Sequence, residues 1–285
     1  MVKIIDEKGI DMSGKLYLVA TPIGNLEDIT LRALRILKEV DLIAAEDTRN
    51  TLKLLNHFEI HKPLISYHRH NEEIKVDNLI EKLKQGQNIA IVSDAGTPGI
   101  SDPGEVIVKE AIKNNINVIP IPGACAAINA IIASGLDTKE FTFIGFLPLN
   151  KKLRKQKLEE IKKENKTLII YEAPHKLKNT LEDLKNIVEN RKIVLARELT
   201  KIHEEFIRGN IDELIAKSEQ LKGEMIILIE GAEKQEEQLE LNNLSLEEHY
   251  KYYENMGLDK KEIIKRISKD RGVNKNEIYM NFINN

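Results

Sequence analysis

The residues best suited to chemistry gather in a few polar, glycine-containing loops. The longest is SDAGTPGISDPG, residues 93–104, which directly follows an apolar run. Asp94 is placed there to accept from ligand hydroxyls or an ammonium group, while Gly96 and Gly99 let backbone approach a ligand closely. Twelve residues exceed what a tight strand-to-helix turn needs, so Asp94, Ala95, Gly96, Thr97 and Pro98 form a candidate binding loop. Ser101 or Asp102 followed by Pro103 reads instead as a helix cap with proline at the first helical position. A second small-residue turn, Pro122-Gly123-Ala124-Cys125-Ala126, opens a helix; it leaves room for a ligand against backbone N–H groups, and close helix packing explains it equally. The turn Thr21-Pro22-Ile23-Gly24-Asn25 follows the first strand. Neither GxGxxG nor GxxxxGK[ST] occurs, which removes the main support for dinucleotide-binding and P-loop readings.

Ionisable groups concentrate at further strand ends: Glu46-Asp47-Thr48-Arg49, Ser66-Tyr67-His68-Arg69-His70-Asn71-Glu72, Tyr171-Glu172-Ala173-Pro174-His175 and Arg197-Glu198-Leu199-Thr200-Lys201. Such density suits the wall of a site, although Asp47 or Thr48 also suits a helix cap. His68 and His70 lack a third partner in sequence, so no metal site is expected. Cys125 has no neighbouring base and is not expected to act as a nucleophile.

The elements that must position these loops alternate. Strands are predicted over 15–20, 42–46, 64–68, 88–94 and 117–122, with helices over 31–40, 48–58, 72–85 and 103–114. Mostly continuous apolar strands between helices predict an α/β domain with a largely parallel sheet, closing near residue 122. A second series has strands over 141–146, 167–173, 192–198, 204–209 and 223–230, and helices over 124–134, 153–164, 176–188 and 211–218. Two of its strands lie close enough to pair as a hairpin, so a mixed sheet is expected over 123–231, with the ligand cleft between the two domains. From residue 231 the composition turns acidic and polar, which reads as a linker. Three short helices follow over 246–255, 260–269 and 275–283, the last two joined by a Gly-containing turn of helix-turn-helix type, giving a small helical domain over 242–285.

Composition bounds the partners. The 285 residues are 41% hydrophobic and 31% charged, enough for a sizeable core and a solvated surface. With 46 acidic and 43 basic residues the net charge is −3, so the chain as a whole is no polycation for nucleic acid. Locally the balance reverses: residues 151–166 hold eight Lys or Arg against three Glu, and residues 257–275 hold seven against three acidic residues. The lone Cys125 excludes an internal disulfide framework, no run reaches membrane-span length, and the N-terminus shows no apolar leader segment. A cytoplasmic protein with no membrane association is expected.

Along most of its length the chain resembles the tetrapyrrole methylase superfamily, in the form typical of its ribosomal RNA branch. The resemblance rests on VATPIGNLEDITLRAL (19–34), EDTR (46–49), SYHRHNE (66–72), SDAGTPGISDPG (93–104), PIPGACA (120–126), FIGFLP (143–148), YEAPH (171–175), RELTKIHEE (197–205) and KGE (222–224), in the family's order. The superfamily's first loop usually reads GxGPG; TPIGN here departs from it and argues against a tetrapyrrole substrate. The resemblance implies two α/β domains that bind S-adenosylmethionine between them, and a helical C-terminal appendage. It implies 2′-O-ribose methylation of a cytidine in the decoding region of small-subunit ribosomal RNA, as naked RNA or in the assembled subunit, by a homodimer. Rival readings are a small-molecule, tetrapyrrole-type methyltransferase and a non-catalytic RNA-binding assembly factor. Cofactor contacts carried over are Pro22, Gly24, Asp94 to Pro98, Ala124, Cys125, Ala126, Tyr171, Glu172, Ala173, Pro174, Gly223 and Glu224. Glu46, Asp47, His68 and Glu172 are then candidates to take a proton or orient the ribose, and Arg49 and Arg197 to hold phosphate.

Overall fold

The computed structural model describes residues 13–188, 190–232, 241 and 244–281, without the side chains of residues 269, 276 and 281. The chain divides into two units, Met1–Gly231 and Ala232–Asn285.

In the first unit, β1 (Lys15–Val19), β2 (Leu42–Ala45), β3 (Leu64–Ser66), β4 (Ile89–Val92) and β5 (Asn117–Ile121) form one sheet in the order β3-β2-β4-β1-β5. All its pairings are parallel, as the continuous apolar runs predict. The central strands β2 (LIAA) and β4 (IAIV) are buried at every position because helices cover both faces. On one face α1 (Leu31–Glu39) and α2 (Thr48–His57) pack Ala33, Ile36, Leu37 and Leu55 against Val19, Ile43 and Val92. On the other, α3 (Glu72–Lys84) and α4 (Glu105–Lys113) pack Leu79, Leu83 and Ile107 against Leu16, Ala44 and Ile91. The chain therefore leaves neighbouring strands β1 and β4 toward opposite faces, which opens a crevice at their carboxyl ends.

The second sheet holds β6 (Phe141–Phe146), β7 (Thr167–Glu172), β8 (Ile193–Arg197), β9 (Glu205–Gly209) and β10 (Met225–Ile229), ordered β6-β7-β10-β8-β9. It is mixed as expected: β6 and β7 are parallel, the other pairings antiparallel, and β8–β9 is the hairpin read from the sequence. One face carries α6 (Lys151–Lys163), α7 (Leu177–Val188) and α8 (Ile211–Ser218), and the other carries α5 (Ala126–Ser134). Ile23, from the loop after β1, is buried in that second core with Ala127, Ile131, Ile169, Val194 and Ile226. Among the described residues no helix is long and apolar enough to cross a membrane.

In the C-terminal unit, α9 (Leu246–Asn255), α10 (Lys260–Arg271) and α11 (Lys275–Asn281) enclose Tyr253, Ile263, Ile264, Ile267 and Ile278. Gly272, at φ 64°, makes the expected turn between the last two helices. Most of the acidic linker read from the sequence, and the end of its third helix at 282–283, lie outside the described residues. A polar network is sealed in this small core. Arg271 Nε donates to His249 Nδ1 (3.1 Å), which leaves the proton on Nε2 to meet Asp270 Oδ2 (3.2 Å), and the Tyr253 hydroxyl donates to the same oxygen (2.6 Å). His249 is fully buried, and burial holds its pKa below the ordinary 6.5. The unfolded chain then binds the proton more readily, so the unit is at full stability above about pH 6.5 and loses stability as pH falls below it. Hydrogen-exchange protection factors across residues 246–271 should fall between pH 6.5 and 5, and His249→Gln should flatten that dependence.

Candidate functional site

A cavity of about 330 Å³ opens where the carboxyl edge of the first sheet faces the ends of β7 and β10. The first sheet supplies Ile23, Ala95, Gly96, Thr97, Ile100, Ser101 and Asp102, and the start of α5 supplies Cys125 and Ala126. The second sheet supplies Phe146, Tyr171 to Pro174, Ala196, Leu199, Glu224, Met225 and Ile226.

Backbone pairing sets the first wall. Thr21 and Gly96 exchange hydrogen bonds, Thr21 N to Gly96 O (2.9 Å) and Gly96 N to Thr21 O (3.0 Å), and the hydroxyls of Thr21 and Ser93 donate into the same loop (both 3.2 Å). Gly96 sits at φ 83°, where a Cβ would also stand 3.1 Å from Ile23 Cγ2, so glycine is required twice over. Further on, Gly104 at φ 147° presses against Gly99, whose N lies 3.1 Å from where a Cβ would be. That closure delays α4 until Glu105, with Gly104 as its cap and no side-chain capping bond. The sequence reading of Ser101 or Asp102 as cap and Pro103 as first helical residue is therefore corrected: the loop folds back before the helix begins, and Ser101 and Asp102 turn to the cavity.

Two further bonds join the walls. Thr97 Oγ1 donates to Ala124 O (3.1 Å), and Ala127 N donates to the Tyr171 hydroxyl (3.0 Å), whose pKa burial pushes up to about 12. Tyr171 also packs edge-on against Phe143 and Phe146, at 5.1 and 5.8 Å between ring centres. Leu199 reaches the cavity from a strained segment: Glu198 and Thr200 on either side have φ of 50° and 67°, unfavourable for a β-branched residue by about 1–3 kcal/mol. Lys201 Nζ, shared between Glu198 Oε1 (3.0 Å) and Glu224 Oε2 (3.3 Å), and Thr200 N, bonded to Glu204 Oε2 (2.6 Å), hold that segment.

Of the candidate cofactor residues, Ala95, Gly96, Thr97, Cys125, Ala126, Tyr171, Glu172, Ala173, Pro174 and Glu224 line the cavity. Pro22 and Pro98 are buried next in the chain to lining residues, and Ala124 takes part through its carbonyl. Gly24 packs against Lys201, and Gly223 against Glu198. Asp94 stands outside: its carboxylate accepts from Asp47 N (3.0 Å) and Asn50 Nδ2 (3.1 Å), tying the β4 loop to the β2 loop.

The candidate proton acceptors separate by their partners. Asp47 caps α2 and forks with Arg49 (Nε–Oδ1 3.1 Å, Nη2–Oδ2 2.7 Å); those bonds lower its pKa to about 2 and occupy the guanidinium proposed for phosphate. Arg197 is likewise bonded to Glu205 (2.7 Å) and to Lys222 O (3.1 Å). His68 Nε2 meets Asn71 Nδ2 at 3.1 Å, away from the cavity lining. Glu46 Oε2 accepts from Asp94 N (3.3 Å); burial, with Asp102 next, raises its pKa. Glu172 lines the cavity, yet both oxygens are engaged, Oε1 by Ala173 N (2.8 Å) and Oε2 by the Thr180 hydroxyl (2.5 Å). Thr180 in turn accepts from Arg154, which pairs with Asp183 (2.6 Å). Asp102 and the apolar lining of Ile23, Ile100, Phe146, Leu199, Met225 and Ile226 escaped the sequence reading, because apolar residues carry no chemical signature and Ser-Asp-Pro imitates a cap.

Two sheets, each covered by helices, enclose one cavity at their strand ends, and comparison with known proteins places this architecture more closely. A family profile described as Tetrapyrrole (Corrin/Porphyrin) Methylases matches residues 15–215, and the chain belongs to that family. It is 55% identical over 273 residues to Ribosomal RNA small subunit methyltransferase I of Halalkalibacterium halodurans, covering 94% of both chains. It is 51% identical over 271 residues to the protein of the same name from Bacillus subtilis, covering 93% of each. Among solved structures it shares its fold with the methyltransferase CobJ (TM-score 0.59, 18% identity, 77% of this chain and 95% of that one). It likewise matches the Thermus thermophilus uroporphyrin-III C-methyl transferase complexed with S-adenyl homocysteine (TM-score 0.55, 14% identity, 76% and 97%).

Thr180→Val should leave the Glu172 carboxylate short of one partner while preserving shape. Chemical denaturation should show a loss of about 1–3 kcal/mol; an unchanged midpoint would separate Glu172 from Thr180.

Proposed function

We propose that the chain transfers the methyl group of S-adenosylmethionine to the ribose 2′-hydroxyl of a cytidine in the decoding region of small-subunit ribosomal RNA. The observation that carries this reading is the cavity that both sheets line together. The residues present fit the cofactor: the volume suits a nucleoside-sized ligand, and Ile23, Leu199, Met225 and Ile226 offer apolar surface to a purine. Helix α5 starts at the cavity without a side-chain cap, leaving the Ala126 N–H for a carboxylate, while Ala127 N is bonded to the Tyr171 hydroxyl. Names borne by relatives at 51–55% identity support ribosomal RNA as the substrate, and TPIGN in the first loop weighs against a tetrapyrrole.

When bound, S-adenosylmethionine supplies an already activated methyl group. The chain's task is chiefly alignment, worth about 7–11 kcal/mol when reacting atoms are well held, whereas a general base adds about 10²–10⁴-fold. In this reading residues 1–122 and 123–231 act as two domains that hold the cofactor, and residues 242–285 form an appended helical domain. Phosphate contact falls to exposed cations. On α6 these are Lys151, Lys152, Lys155, Lys162 and Lys163, whereas Arg154 is bound to Asp183 and Thr180. In the C-terminal unit they include Lys260, Lys261, Lys265, Arg266 and Lys275. The protein is proposed to work in the cytoplasm as a homodimer, and exposed Ile128 and Ile132 on α5 supply apolar surface in keeping with the latter.

The test is incubation with labelled S-adenosylmethionine and small subunits from cells lacking the enzyme, followed by mapping of the label. Transfer to a cytidine ribose is expected; label only in a tetrapyrrole, or in nothing, would select a rival reading. Lys152→Glu with Lys155→Glu should reduce the salt dependence of RNA binding by about 0.7 in logarithmic slope for each phosphate no longer neutralised. An unchanged slope would place the RNA elsewhere.

A further inference from the structure

We infer that Phe146 is the platform on which the base of the methylated nucleotide stacks, an inference that rests on the ribose-methylating reading above. Phe146 ends β6. In a regular strand residues 143 and 145 share one face, and 144 and 146 the other. β6 departs from that alternation: its pairing with β7 shifts register between Phe143 and Gly145, and Gly145 takes φ 68°. The bulge reverses the faces beyond it. Phe143 packs in the core beside α5, whereas Ile144 and Leu147 both pack in the core beneath α6 and α7. Phe146 therefore joins Phe143 on the face of Tyr171, whose ring it meets edge-on at 5.8 Å, and lines the cavity. Without the extra residue it would be turned toward the opposite core.

Apart from Tyr171, six large apolar side chains line the cavity. Ile23, Leu199, Met225 and Ile226 are buried, and they are the surface offered to the purine of the cofactor. Phe146 and Ile100 stay 60% and 54% exposed, so they stand at the mouth. The end of β6 abuts the loop that carries Ile100: a Cβ on Gly145 would lie 3.8 Å from Ser101 Oγ. Exposed apolar surface at the mouth of a site marks what the substrate covers.

Neighbouring charges identify the group that covers it. Helix α6 begins five residues after Phe146, and its Lys151, Lys152 and Lys155 are exposed. Arg154 and Lys157 are paired with Asp183 and Glu160, while those three lysines carry no carboxylate partner among the described residues. A flat apolar ring followed by unpaired cations fits a nucleobase and its phosphates. Base and 2′-hydroxyl hang from adjacent carbons of one ribose. A hydroxyl delivered into the cavity thus leaves its own base at the mouth, against the ring. Stacking there holds the ribose, and with it the attacking oxygen, in line for transfer.

Substitutions at Phe146 test the platform, with small subunits from cells lacking the enzyme as substrate. Phe146→Ala should lower kcat/KM for the subunit by about 10- to 100-fold, the worth of one stacked base. Phe146→Leu, apolar but without a π face, should fall nearly as far, and Phe146→Tyr should stay within about threefold of wild type. Titration calorimetry with S-adenosylhomocysteine should remain within about twofold of wild type in all three. The chain has no tryptophan, so Phe146→Trp adds a single fluorophore. Its emission, read against the wild-type titration, should be quenched as subunits are added. Phe146→Ala within threefold of wild type would overturn the assignment. So would wild-type rates in Phe146→Leu, which would reduce the ring to apolar filling, and so would emission that ignores the subunit. Loss of S-adenosylhomocysteine binding would make Phe146 a cofactor contact, and a changed oligomeric state in light scattering would make it a subunit contact; either would overturn it. A wild-type enzyme that leaves ribose unmethylated would instead overturn the functional reading itself, and the platform with it.

Discussion

The pairing of Thr21 with Gly96 is the constraint on which the cavity depends. It joins the loops after β1 and β4 at the point where the chain leaves those strands toward opposite faces, and it requires a left-handed residue without a side chain at position 96. Because Ile23 lies against Gly96 and is buried in the core between α5 and the second sheet, one backbone bridge sets the spacing between the two walls. A Cβ at Gly96 would push on Ile23 and so on that core. The Thr97–Ala124 and Ala127–Tyr171 bonds extend the same linkage, each joining a side-chain hydroxyl to backbone.

Chemistry divides between the walls accordingly. The second sheet contributes apolar surface and a carboxylate immobilised by Thr180 and Ala173, which suits gripping a ligand more than exchanging protons. The first sheet contributes small residues at 95–97 and the loop, 99–104, that carries the Asp102 carboxylate to the cavity. Charges that resemble a substrate-binding array in sequence mostly satisfy each other: Arg49 with Asp47, Arg197 with Glu205, Arg154 with Asp183. Exposed cations outside the cavity remain for an RNA backbone, which reconciles a net charge of −3 with a nucleic-acid substrate met at local basic segments.

The fold was legible wherever hydrophobic period and turn chemistry agreed. The fully apolar runs of β2 and β4 announced a covered parallel sheet, and the close spacing of β8 and β9 announced their hairpin. In the sequence, loop 93–98 stands out by its glycines, 124–126 by its small residues and 171–174 by its ionisable groups at a strand end, and each contributes residues to the cavity lining. Direction was not legible. Asp94 has the type and place of a ligand acceptor, but Asp47 N and Asn50 stand within reach in space and take its oxygens. Asp102 has the local pattern of a cap, and only the contact between Gly104 and Gly99, five residues apart in the chain, shows that the helix has not yet begun. Local residue types decide where a turn is favoured; long-range contacts decide which way its side chains face.

The most direct measurement is a crystal structure with S-adenosylhomocysteine bound. The ligand should lie between residues 95–97 and 171–174, its carboxylate toward the start of α5, with the Thr21–Gly96 bridge intact. A ligand outside that cavity, or one that enters only after the bridge opens, would contradict a site built by both sheets around Gly96.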